Sequence, residues 1–362
     1  MKLKTKTMQT IQANNYKIVF ENSGYEFLAE TIKPQFYSKI FLIVDENTSN
    51  QCLPYFLANF ATEVTIEIIE LEAGESNKNI ETCLGIWNSL TELEGDRKSI
   101  IINLGGGVIT DIGGFIACTF KRGIDFINVP TTLLAMVDAS IGGKNGVDLG
   151  NLKNQIGIIK EPKAVIIDTH FLSTLSAREM RSGLAEMLKH GLIYDKKYWD
   201  KFKNLTDLNT DDLNSLIYES IQIKNTIVSQ DLTENGIRKS LNFGHTLGHA
   251  IESYLLENPD KESLLHGEAI AIGMILESYI SKEKNLISEN EYLEIKDLIN
   301  SIYKKVNFNN VDIQKVIDLL IFDKKNEFGT IQFALLDGIG KIKINQTAEN
   351  ELIMKSFENY KN

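Results

Sequence analysis

The sequence predicts a two-domain protein, with an α/β domain over residues 1–173 and an all-α domain over residues 174–362. Three observations predict this division. Short apolar runs alternate with helix-length segments in the first half, which is typical of a parallel sheet covered by helices on both faces. A segment of helical periodicity, SAREMRSGLAEMLKHGLI, begins near Leu175. After it, β-branched runs nearly vanish until TIQFALL near the C-terminus.

Five apolar runs are predicted to be the strands of the sheet. Their composition and length, and the polar or glycine-rich residues that follow them, are typical of buried strands. They are Ile40–Val44, Thr65–Leu71, Ser99–Leu104, Phe126–Val129 and Ala164–Ile167.

The bulk composition bounds the function. A chain of 362 residues with 43% hydrophobic and 24% charged residues is long enough for two globular domains. The net charge of −11 argues against nucleic-acid and anionic-membrane partners, which would repel it. Because no stretch approaches the roughly 20 apolar residues of a membrane span, we expect no membrane partner. Anion binding would need a local cluster of lysine and arginine.

The cysteines and the N-terminal segment predict a cytoplasmic protein. Cys52, Cys83 and Cys118 are odd in number, widely spaced and lack metal-ligand spacing, so we expect reduced thiols. The segment MKLKTKTMQTIQ carries lysines without a following apolar run, and we therefore expect no signal peptide.

A glycine-rich turn follows the third predicted strand, in SIIINLGGGVITDIGGFIA. Glycines at a strand-to-helix junction let the backbone approach a ligand, and the free N–H groups of the helix start favour an anion. An ordinary tight turn explains this pattern about equally well, since a true G-x-G-x-x-G is absent. Asp45, at the end of an early strand, is similarly either a ribose ligand or a turn residue.

The stretch DASIGGKNGVDLGNLKNQIG, residues 138–157, combines five glycines with two lysines and three asparagines. This composition predicts a loop wrapped around a polar ligand, since it is poor material for the interior of a helix or strand. The alternative is a flexible surface loop. The spacing of a Walker A phosphate-binding loop is absent.

The stretch RKSLNFGHTLGHAIE holds two of the five histidines of the chain. If it is helical, Arg238, Asn242, His245 and His249 share one face. Such a face is either solvated or the wall of a polar site.

A catalytic zinc site is the second prediction from the histidines. Such a site needs three protein ligands of N or O type and one open position. The candidates are His245, His249, His266 and Glu186, and His190 is a rival because it lies four residues after Glu186. We expect His170 and His190 to be structural. A zincin metalloprotease is excluded, because a threonine follows the first histidine of HTLGH.

Taken together, the motifs resemble those of the 3-dehydroquinate synthase family, and the resemblance covers most of the chain. The blocks are GGGVITD, FKRG, VPTTLLAMVDASIGGKNGVDL, LKNQIG, GLAEMLKHGLI, RKSLNFGHTLGHAIE, LLHGEA and DKK. The resemblance implies a Rossmann-like NAD-binding α/β domain and a helical metal- and substrate-binding domain. The segment EAGESNK departs from the more usual D-G-E-Q-Y-K, and the interval between HTLGH and His266 is a few residues longer than usual, which indicates a loop insertion.

The resemblance also implies site residues. The metal ligands would be Glu186, His245 and His266, which leaves His249 to the substrate. The cofactor NAD would contact Asp45, Glu75, Lys78, Gly106, Gly107, Val108, Asp111, Thr131, Thr132, Lys144, Lys153, Phe171 and Thr174. Catalytic and substrate contacts would come from Lys144, Lys189, Lys224, Arg238, Asn242, His249, Asp138, Asn154 and one lysine of Lys324 and Lys325. Arg122 would reach the phosphate site of a neighbouring subunit in a homodimer.

The reaction implied is the conversion of 3-deoxy-D-arabino-heptulosonate 7-phosphate to 3-dehydroquinate and phosphate in the shikimate pathway, with catalytic NAD and Zn²⁺ or Co²⁺. Three alternatives remain. Other sugar-phosphate cyclases, such as 2-deoxy-scyllo-inosose synthase, share the scaffold. Metal-dependent alcohol dehydrogenases of the glycerol dehydrogenase type would carry P-T-T-x-G-T-G-S where this chain has PTTLLAMVDAS. A non-catalytic NAD-binding protein should have lost a metal ligand or a lysine.

Overall fold

The computed structural model describes residues 10–150, 152–207, 210–320 and 331–361 of the chain. The chain forms two compact units. The first comprises Met1–Gly150 and Asn154–Ser176, and the second comprises Asn151–Lys153 and Ala177–Asn362. Lys324 and Lys325, predicted to bind substrate, lie outside the described residues.

The first unit is built on a seven-stranded sheet with the order β1-β2-β9-β6-β5-β3-β4. Its neighbouring strands pair in parallel, except that β1 and β2 are antiparallel. The strands are Ile11–Gln12 (β1), Lys17–Phe20 (β2), Ile40–Asp45 (β3), Ile66–Leu71 (β4), Ile100–Gly105 (β5), Asp125–Pro130 (β6) and Ala164–Ile167 (β9). All five predicted strands are therefore confirmed. The strands β1 and β2 were not predicted, because their two and four residues are too few to show a period.

Helices cover this sheet. They are Asn22–Thr31 (α1), Glu46–Gln51 (α2), Leu53–Asn59 (α3), Ile80–Glu92 (α4) and Gly107–Thr119 (α5). One core cluster joins Phe41 and Ile101 of the sheet to Ile112 and Ile116 of α5, all of them fully buried. Each such side chain contributes roughly 1.5–3 kcal/mol by leaving water. This burial fixes the position at which α5 begins, directly after β5.

The segment 138–157 forms regular structure, so the prediction of a loop there was wrong. Its first two residues end a π-helical turn, Ala135–Ala139. Further along, the chain forms a two-stranded sheet of Lys144–Leu149 (β7) and Leu152–Ile159 (β8). The glycines make this pairing possible. A Cβ on Gly146 would lie 2.5 Å from the carbonyl oxygen of Ile156, and one on Gly157 would lie 2.6 Å from that of Asn145. Here the glycines let two strands approach closely, a role that composition alone does not distinguish from loop flexibility.

The second unit is mainly helical, as predicted. Its helices are Ala177–Tyr194 (α6), Lys196–Asp200 (α7), Thr210–Gln230 (α8), His245–Glu257 (α9), His266–Glu283 (α10), Glu289–Ile302 (α11), Asn310–Leu319 (α12) and Asn350–Lys361 (α13). A two-stranded sheet, Phe333–Leu336 (β10) and Ile342–Gln346 (β11), contains part of the TIQFALL segment. None of the helices in the described ranges is long and apolar enough to span a membrane.

The residues 238–249 do not form one helix, which corrects the predicted single polar face. A 3-10 helix, Ile237–Asn242, ends before Gly244, and α9 begins at His245. Gly244 has a left-handed backbone, with φ of 77°. A Cβ on Gly273 of α10 would lie 1.9 Å from the carbonyl oxygen of Gly244, so the two helices touch here through backbone atoms. The turn separates Arg238 and Asn242 from the face of α9 that carries the histidines.

Candidate active site

The carboxyl ends of three neighbouring strands carry five of the thirteen residues predicted to bind the cofactor. Asp45 ends β3, Gly106 and Gly107 follow β5, and Thr131 and Thr132 follow β6. The strands are in register, because Gly105 pairs with Pro130 and the N–H of Thr131 donates to the carbonyl oxygen of Gly105 at 3.0 Å. Ligands of open parallel sheets bind at this edge.

The start of α5 offers unsatisfied backbone N–H groups at the same edge. Its N-cap residue, Gly106, provides no side-chain cap. The 13-residue helix therefore begins with free donors and the positive end of its dipole, which suit a phosphate. Asp45 is engaged locally, since its Oδ1 accepts the N–H of Thr48 at 2.8 Å in a capping box. The turn explanation for this carboxylate therefore applies.

Thr174 and Phe171 lie in a 3-10 helix, Thr169–Thr174, that follows β9. Phe171 is buried, with 1% of its surface exposed. The Oγ1 of Thr174 lies 3.8 Å from the Sγ of Cys52. Burial raises the pKa of the Cys52 thiol, which keeps it protonated at neutral pH. This cysteine contributes a small neutral group beside Thr174.

Lys78 links two other predicted site residues. Its Nζ lies 2.6 Å from Oδ2 of Asp111 and 2.6 Å from Oδ1 of Asn154. Only 4% of Lys78 is exposed. Burial lowers the pKa of a lysine, but the charges of Asp111 and Glu75 outweigh it here and raise the pKa of Lys78. The ammonium group stays charged and holds both partners in place.

Asn154 has a left-handed backbone with φ of 52°. Its N–H donates to Oδ1 of Asp148 at 2.6 Å, which helps to hold that conformation. Asp148, which the sequence analysis did not assign, therefore positions a predicted substrate contact. The other predicted residues of this unit differ in exposure: Val108, Asp138 and Lys144 are half-buried, and Arg122 is exposed.

A buried carboxylate lies at the centre of the predicted metal site in the second unit. Glu186 lies on α6 with none of its surface exposed. Lys189, one helical turn further on and 1% exposed, forms an ion pair with it. Carboxylates are rarely buried without a cation, because the loss of hydration costs several kcal/mol. A predicted ligand and a predicted substrate lysine are thus already paired.

The two histidines predicted as ligands face the same carboxylate oxygen. The Nε2 of His245 lies 3.5 Å from Oε1 of Glu186, and the Nε2 of His266 lies 3.8 Å from it. Both distances exceed the roughly 2.7–3.2 Å of an N–H···O hydrogen bond. Two ligand atoms that each lie about 2.1 Å from a tetrahedral ion are about 3.4 Å apart. The spacing therefore fits donors around a shared divalent ion better than direct hydrogen bonds.

The other ring nitrogens of these histidines have acceptors. The Nδ1 of His245 lies 3.1 Å from the carbonyl oxygen of Phe243, and the Nδ1 of His266 lies 3.1 Å from Oε2 of Glu252. With a proton on each Nδ1, both Nε2 lone pairs face Glu186. This is the tautomer that a metal ligand requires.

The electrostatics of the site favour a cation. Burial lowers the pKa of a histidine, but the charges of Glu252 and Glu186 outweigh it and raise the pKa of His266 to about 10. Burial raises the pKa of a carboxyl, yet His266 and Lys153 hold the pKa of Glu252 below its ordinary value. A site that stabilises positive charge on His266 so strongly also suits a divalent ion in place of the proton.

His249 lies beside these two histidines. The rings of His249 and His245 are 5.1 Å apart between centroids, and those of His249 and His266 are 5.6 Å apart. One ring nitrogen from each of the three lies within 4.8 Å of the others, so the ligand set His245, His249 and His266 also satisfies the geometry. The structure thus brings all three histidines together, and which of them bind a metal stays a prediction.

The remaining histidines have different surroundings. His190 is fully buried and its Nδ1 lies 2.8 Å from Oγ of Ser220. The exposed ring of His170 stacks on Tyr55 with a centroid distance of 4.1 Å. These contacts agree with structural roles for both.

A second buried carboxylate fixes the start of α9. Glu277 of α10 is fully buried and accepts the N–H of Gly244 at 2.7 Å and that of Leu247 at 3.1 Å. Gly244 has no side chain that could cap α9, the helix that carries His245. The carboxylate of Glu277 accepts N–H groups at the N-terminus of this helix instead.

Two predicted substrate residues of the 3-10 helix have hydrogen-bond partners, and a third, on α8, is buried. Arg238 is 1% exposed and donates from Nη1 to the carbonyl oxygen of Leu232 at 2.6 Å. Asn242 donates from Nδ2 to Oε1 of Glu234 at 2.7 Å. Lys224 of α8 is 5% exposed. Arg238 and Lys224 are thus buried cations in a chain of net charge −11, where anion binding requires local positive charge.

Three acidic residues with contacts to predicted site residues were missed: Asp148, Glu234 and Glu252. A fourth, Glu277, was also missed, and it contacts the start of the helix that carries His245. A signal existed for Glu252, which lies three residues after His249 and therefore on the same side of α9. The contacts of Glu234 and Asp148 depend on left-handed or irregular turns, and that of Glu277 on helix packing. No sequence period indicates them.

Two family models match consecutive parts of the chain. Residues 68–182 match the model described as 3-dehydroquinate synthase N-terminal, and residues 183–326 match that described as 3-dehydroquinate synthase C-terminal. Together these ranges cover more than half of the chain.

Individual proteins agree. The 3-dehydroquinate synthase of Parabacteroides distasonis is 40% identical over 329 residues, which is 90% of this chain and 92% of that protein. A structure of 2-deoxy-scyllo-inosose synthase with carbaglucose-6-phosphate, NAD⁺ and Co²⁺ has a TM-score of 0.83 at 26% identity, covering 97% of this chain and 99% of its own. A structure of the 2-epi-5-epi-valiolone synthase ValA from Streptomyces hygroscopicus with NAD⁺ and Zn²⁺ has a TM-score of 0.80 at 25% identity, covering 98% and 99%. With its buried carboxylate, paired histidines and glycine-rich sheet edge, the chain belongs to the 3-dehydroquinate synthase family.

Proposed function

We propose that this protein converts 3-deoxy-D-arabino-heptulosonate 7-phosphate to 3-dehydroquinate and phosphate, as a lyase of the shikimate pathway. The observation that carries the proposal is the approach of two Nε2 atoms to Oε1 of Glu186 at 3.5 and 3.8 Å, in a chain of this family. The geometry supports a bound divalent metal, and the family supplies the reaction.

The metal ligands are Glu186, His245 and His266. One carboxylate and two imidazoles leave an open position for a substrate oxygen, as in catalytic zinc sites. The structural relatives hold Co²⁺ in one case and Zn²⁺ in the other, and nitrogen and oxygen donors suit both ions. His249 stays available for the substrate.

NAD binds at the carboxyl edge of the first unit's sheet. The start of α5 supplies N–H donors for its phosphates, and Thr131, Thr132 and Thr174 supply hydroxyl and backbone groups at the same edge. Together the two cofactors supply hydride transfer and the lowering of the pKa of the substrate hydroxyl. The conversion of the heptulosonate phosphate to 3-dehydroquinate and phosphate has no net redox change, so NAD would act catalytically.

The protein's own cations hold the acidic substrate. Arg238 suits the carboxylate, because its planar guanidinium donates two parallel hydrogen bonds. Lys189, Lys224 and His249, all in the second unit, bind the phosphate and other oxygens. Their burial or half-burial means that they are oriented before the substrate arrives.

One assay tests this function. The purified protein with NAD and Zn²⁺ is expected to release phosphate from the heptulosonate phosphate without accumulating NADH. A sugar phosphate that lacks the carboxylate serves as the matched substrate. Faster release from that compound would make the protein a different sugar-phosphate cyclase, and stoichiometric NADH would make it a dehydrogenase.

We also propose a cytoplasmic homodimer. The three cysteines are free thiols, which suits a reducing compartment. Arg122 is exposed, with φ of 71°, and is the residue expected to reach the partner's phosphate site. Light scattering after gel filtration tests the dimer, and a mass of about 41 kDa, that of one 40.8 kDa chain, would contradict it.

A further inference from the structure

Glu252 is a buried carboxylate that lies outside the proposed donor set. It lies on α9, and 9% of its surface is exposed. Burial of a carboxylate is unfavourable unless hydrogen bonds and opposite charges compensate it. Its two partners therefore indicate what it does.

Each oxygen of Glu252 faces a different basic group. Oε2 lies 3.1 Å from Nδ1 of His266, and Oε1 lies 3.6 Å from Nζ of Lys153. The imidazole ring lies between Glu252 and Nε2 of His266, the atom that faces Glu186. Glu252 therefore binds the far side of the ring from the proposed metal, and acts on that metal through the ring.

The second histidine ligand provides a comparison within the same site. His245 Nδ1 is directed to the backbone carbonyl of Phe243, a neutral acceptor, at 3.1 Å. His266 receives a charged acceptor at the same distance. A carboxylate on the outer nitrogen fixes the tautomer and ring orientation and increases the basicity of the inner nitrogen. His266 is thus the more strongly supported of the two imidazoles.

We propose that Glu252 is a positioning residue of the metal centre: it accepts the Nδ1–H of His266 and thereby directs Nε2 to the metal. Lys153 holds the other carboxylate oxygen and keeps Glu252 aligned with the ring. This proposal deepens the proposed function, because it rests on His266 being a metal ligand.

Metal affinity is the direct test, measured by chelator competition for Zn²⁺ on the full chain without NAD. The variant Glu252→Gln keeps the shape of the side chain and removes its charge. We expect it to bind Zn²⁺ about 10- to 100-fold more weakly than the wild type. Glu257→Gln is the matched control, since Glu257 is exposed at the end of the same helix, and it should bind Zn²⁺ as the wild type does.

The visible absorption of the Co²⁺-loaded protein adds a readout that a purely structural role would not change. Glu252→Gln is expected to shift the d–d bands, whereas Glu257→Gln should not. Lys153→Met is expected to weaken Zn²⁺ binding less than Glu252→Gln does. In the double variant the two effects should not add, because both act through one carboxylate.

Wild-type Zn²⁺ affinity in Glu252→Gln, or equal weakening in Glu257→Gln, would overturn the positioning role. Glu252→Asp keeps the charge but is too short to reach Nδ1, so it carries the same prediction if the glutamine variant does not fold. Failure of this inference differs from failure of the proposed function. In the first case the wild type still binds Zn²⁺ and releases phosphate, and in the second it does neither.

Discussion

In the proposed metal centre, the role of each carboxylate oxygen of Glu186 depends on the atoms next to it. Oε1 of Glu186 faces the Nε2 atoms of two histidines, and Oε2 forms an ion pair with Lys189 on the same helix. The distances between Oε1 and the nitrogens exceed those of hydrogen bonds and fit a shared ion. The ion pair with Lys189 compensates part of the hydration that this fully buried carboxylate loses, and the proposed divalent cation would add to that compensation.

Loss of the Glu186 charge is therefore expected to abolish turnover. Glu186→Gln removes one anionic donor and should lower kcat by more than about 100-fold, beyond the usual cost of losing an outer-shell partner. Steady-state kinetics with metal analysis of the purified protein measure this. Glu179→Gln on the same helix is the control and should keep both metal and activity. A fully active Glu186→Gln would remove this residue from the ligand set.

Arg238 is predicted to determine recognition of the substrate carboxylate. Arg238→Lys keeps the charge but loses the planar fork, so KM for the heptulosonate phosphate should rise roughly 10- to 100-fold, corresponding to one charged hydrogen bond. KM for NAD should not change. The exposed Arg97 provides the control, since Arg97→Lys should alter neither constant. Equal increases in both KM values would place Arg238 outside the substrate site.

At the level of elements, close backbone contacts position the functional side chains. Gly273 of α10 meets the carbonyl oxygen of Gly244, and Glu277 accepts the N–H groups at the start of α9. These contacts bring His245 and His266, each the first residue of its helix, next to one another. In the first unit, Gly146 and Gly157 play the equivalent part for β7 and β8, which carry Lys144, Lys153 and Asn154.

The pairing of β7 and β8 can be tested with one methyl group. In Gly146→Ala the new Cβ would lie 2.5 Å from the carbonyl oxygen of Ile156, so the strands must separate. We expect the free energy of unfolding to fall by about 1–3 kcal/mol, as in other overpacked sites.

Urea denaturation measures the change, and Gly85→Ala in α4 is the control. A Cβ on Gly85 meets nothing within 4 Å, and alanine is the better helix former by about 1 kcal/mol. The control should therefore be as stable as the wild type or more so. A Gly146→Ala protein as stable as Gly85→Ala would show that the strands do not need this close approach.

For the whole molecule, a net charge of −11 has to be reconciled with an acidic substrate and a cofactor with two phosphates. The surface charge gives no long-range attraction for these anions. We therefore expect binding to depend on cations withdrawn from solvent, and the buried candidates are Lys78, Lys189, Lys224 and Arg238. Their fields are screened little by salt, because water and ions do not surround them.

Removal of the metal tests whether NAD binding depends on the metal. The predicted metal ligands belong to one compact unit, and most of the predicted NAD contacts belong to the other. Chelation should abolish turnover and lower the midpoint of thermal unfolding, since an ion at 100 times its Kd contributes about 2.7 kcal/mol. NAD should still raise the midpoint of the metal-free protein. If it does not, NAD binding requires the metal.

The strands and helices that the sequence predicted are those whose information is local. The runs that became β3 to β6 and β9 are continuous and apolar, and α6 has a clear helical period, so neighbouring residues suffice to determine them. The segment 138–157 was wrongly predicted to be a loop because glycine can have two effects. It allows the backbone unusual dihedral angles, and its lack of a side chain allows another strand to approach closely. Only the partner strand shows that the second applies at Gly146 and Gly157.

The sequence by itself determined the family, the alternating architecture of the first unit and the residue types of a metal site. Motifs and periodicity depend only on residues that are close together in the chain. Only the tertiary structure decided which nitrogen of each histidine faces Glu186, that Glu252 lies beside Nδ1 of His266, and that Glu277 accepts the N–H groups at the start of α9. It also decided that Gly244 separates Arg238 from the histidine helix. The reason is physical: these choices depend on distances between residues far apart in the chain, which exist only after the helices have packed.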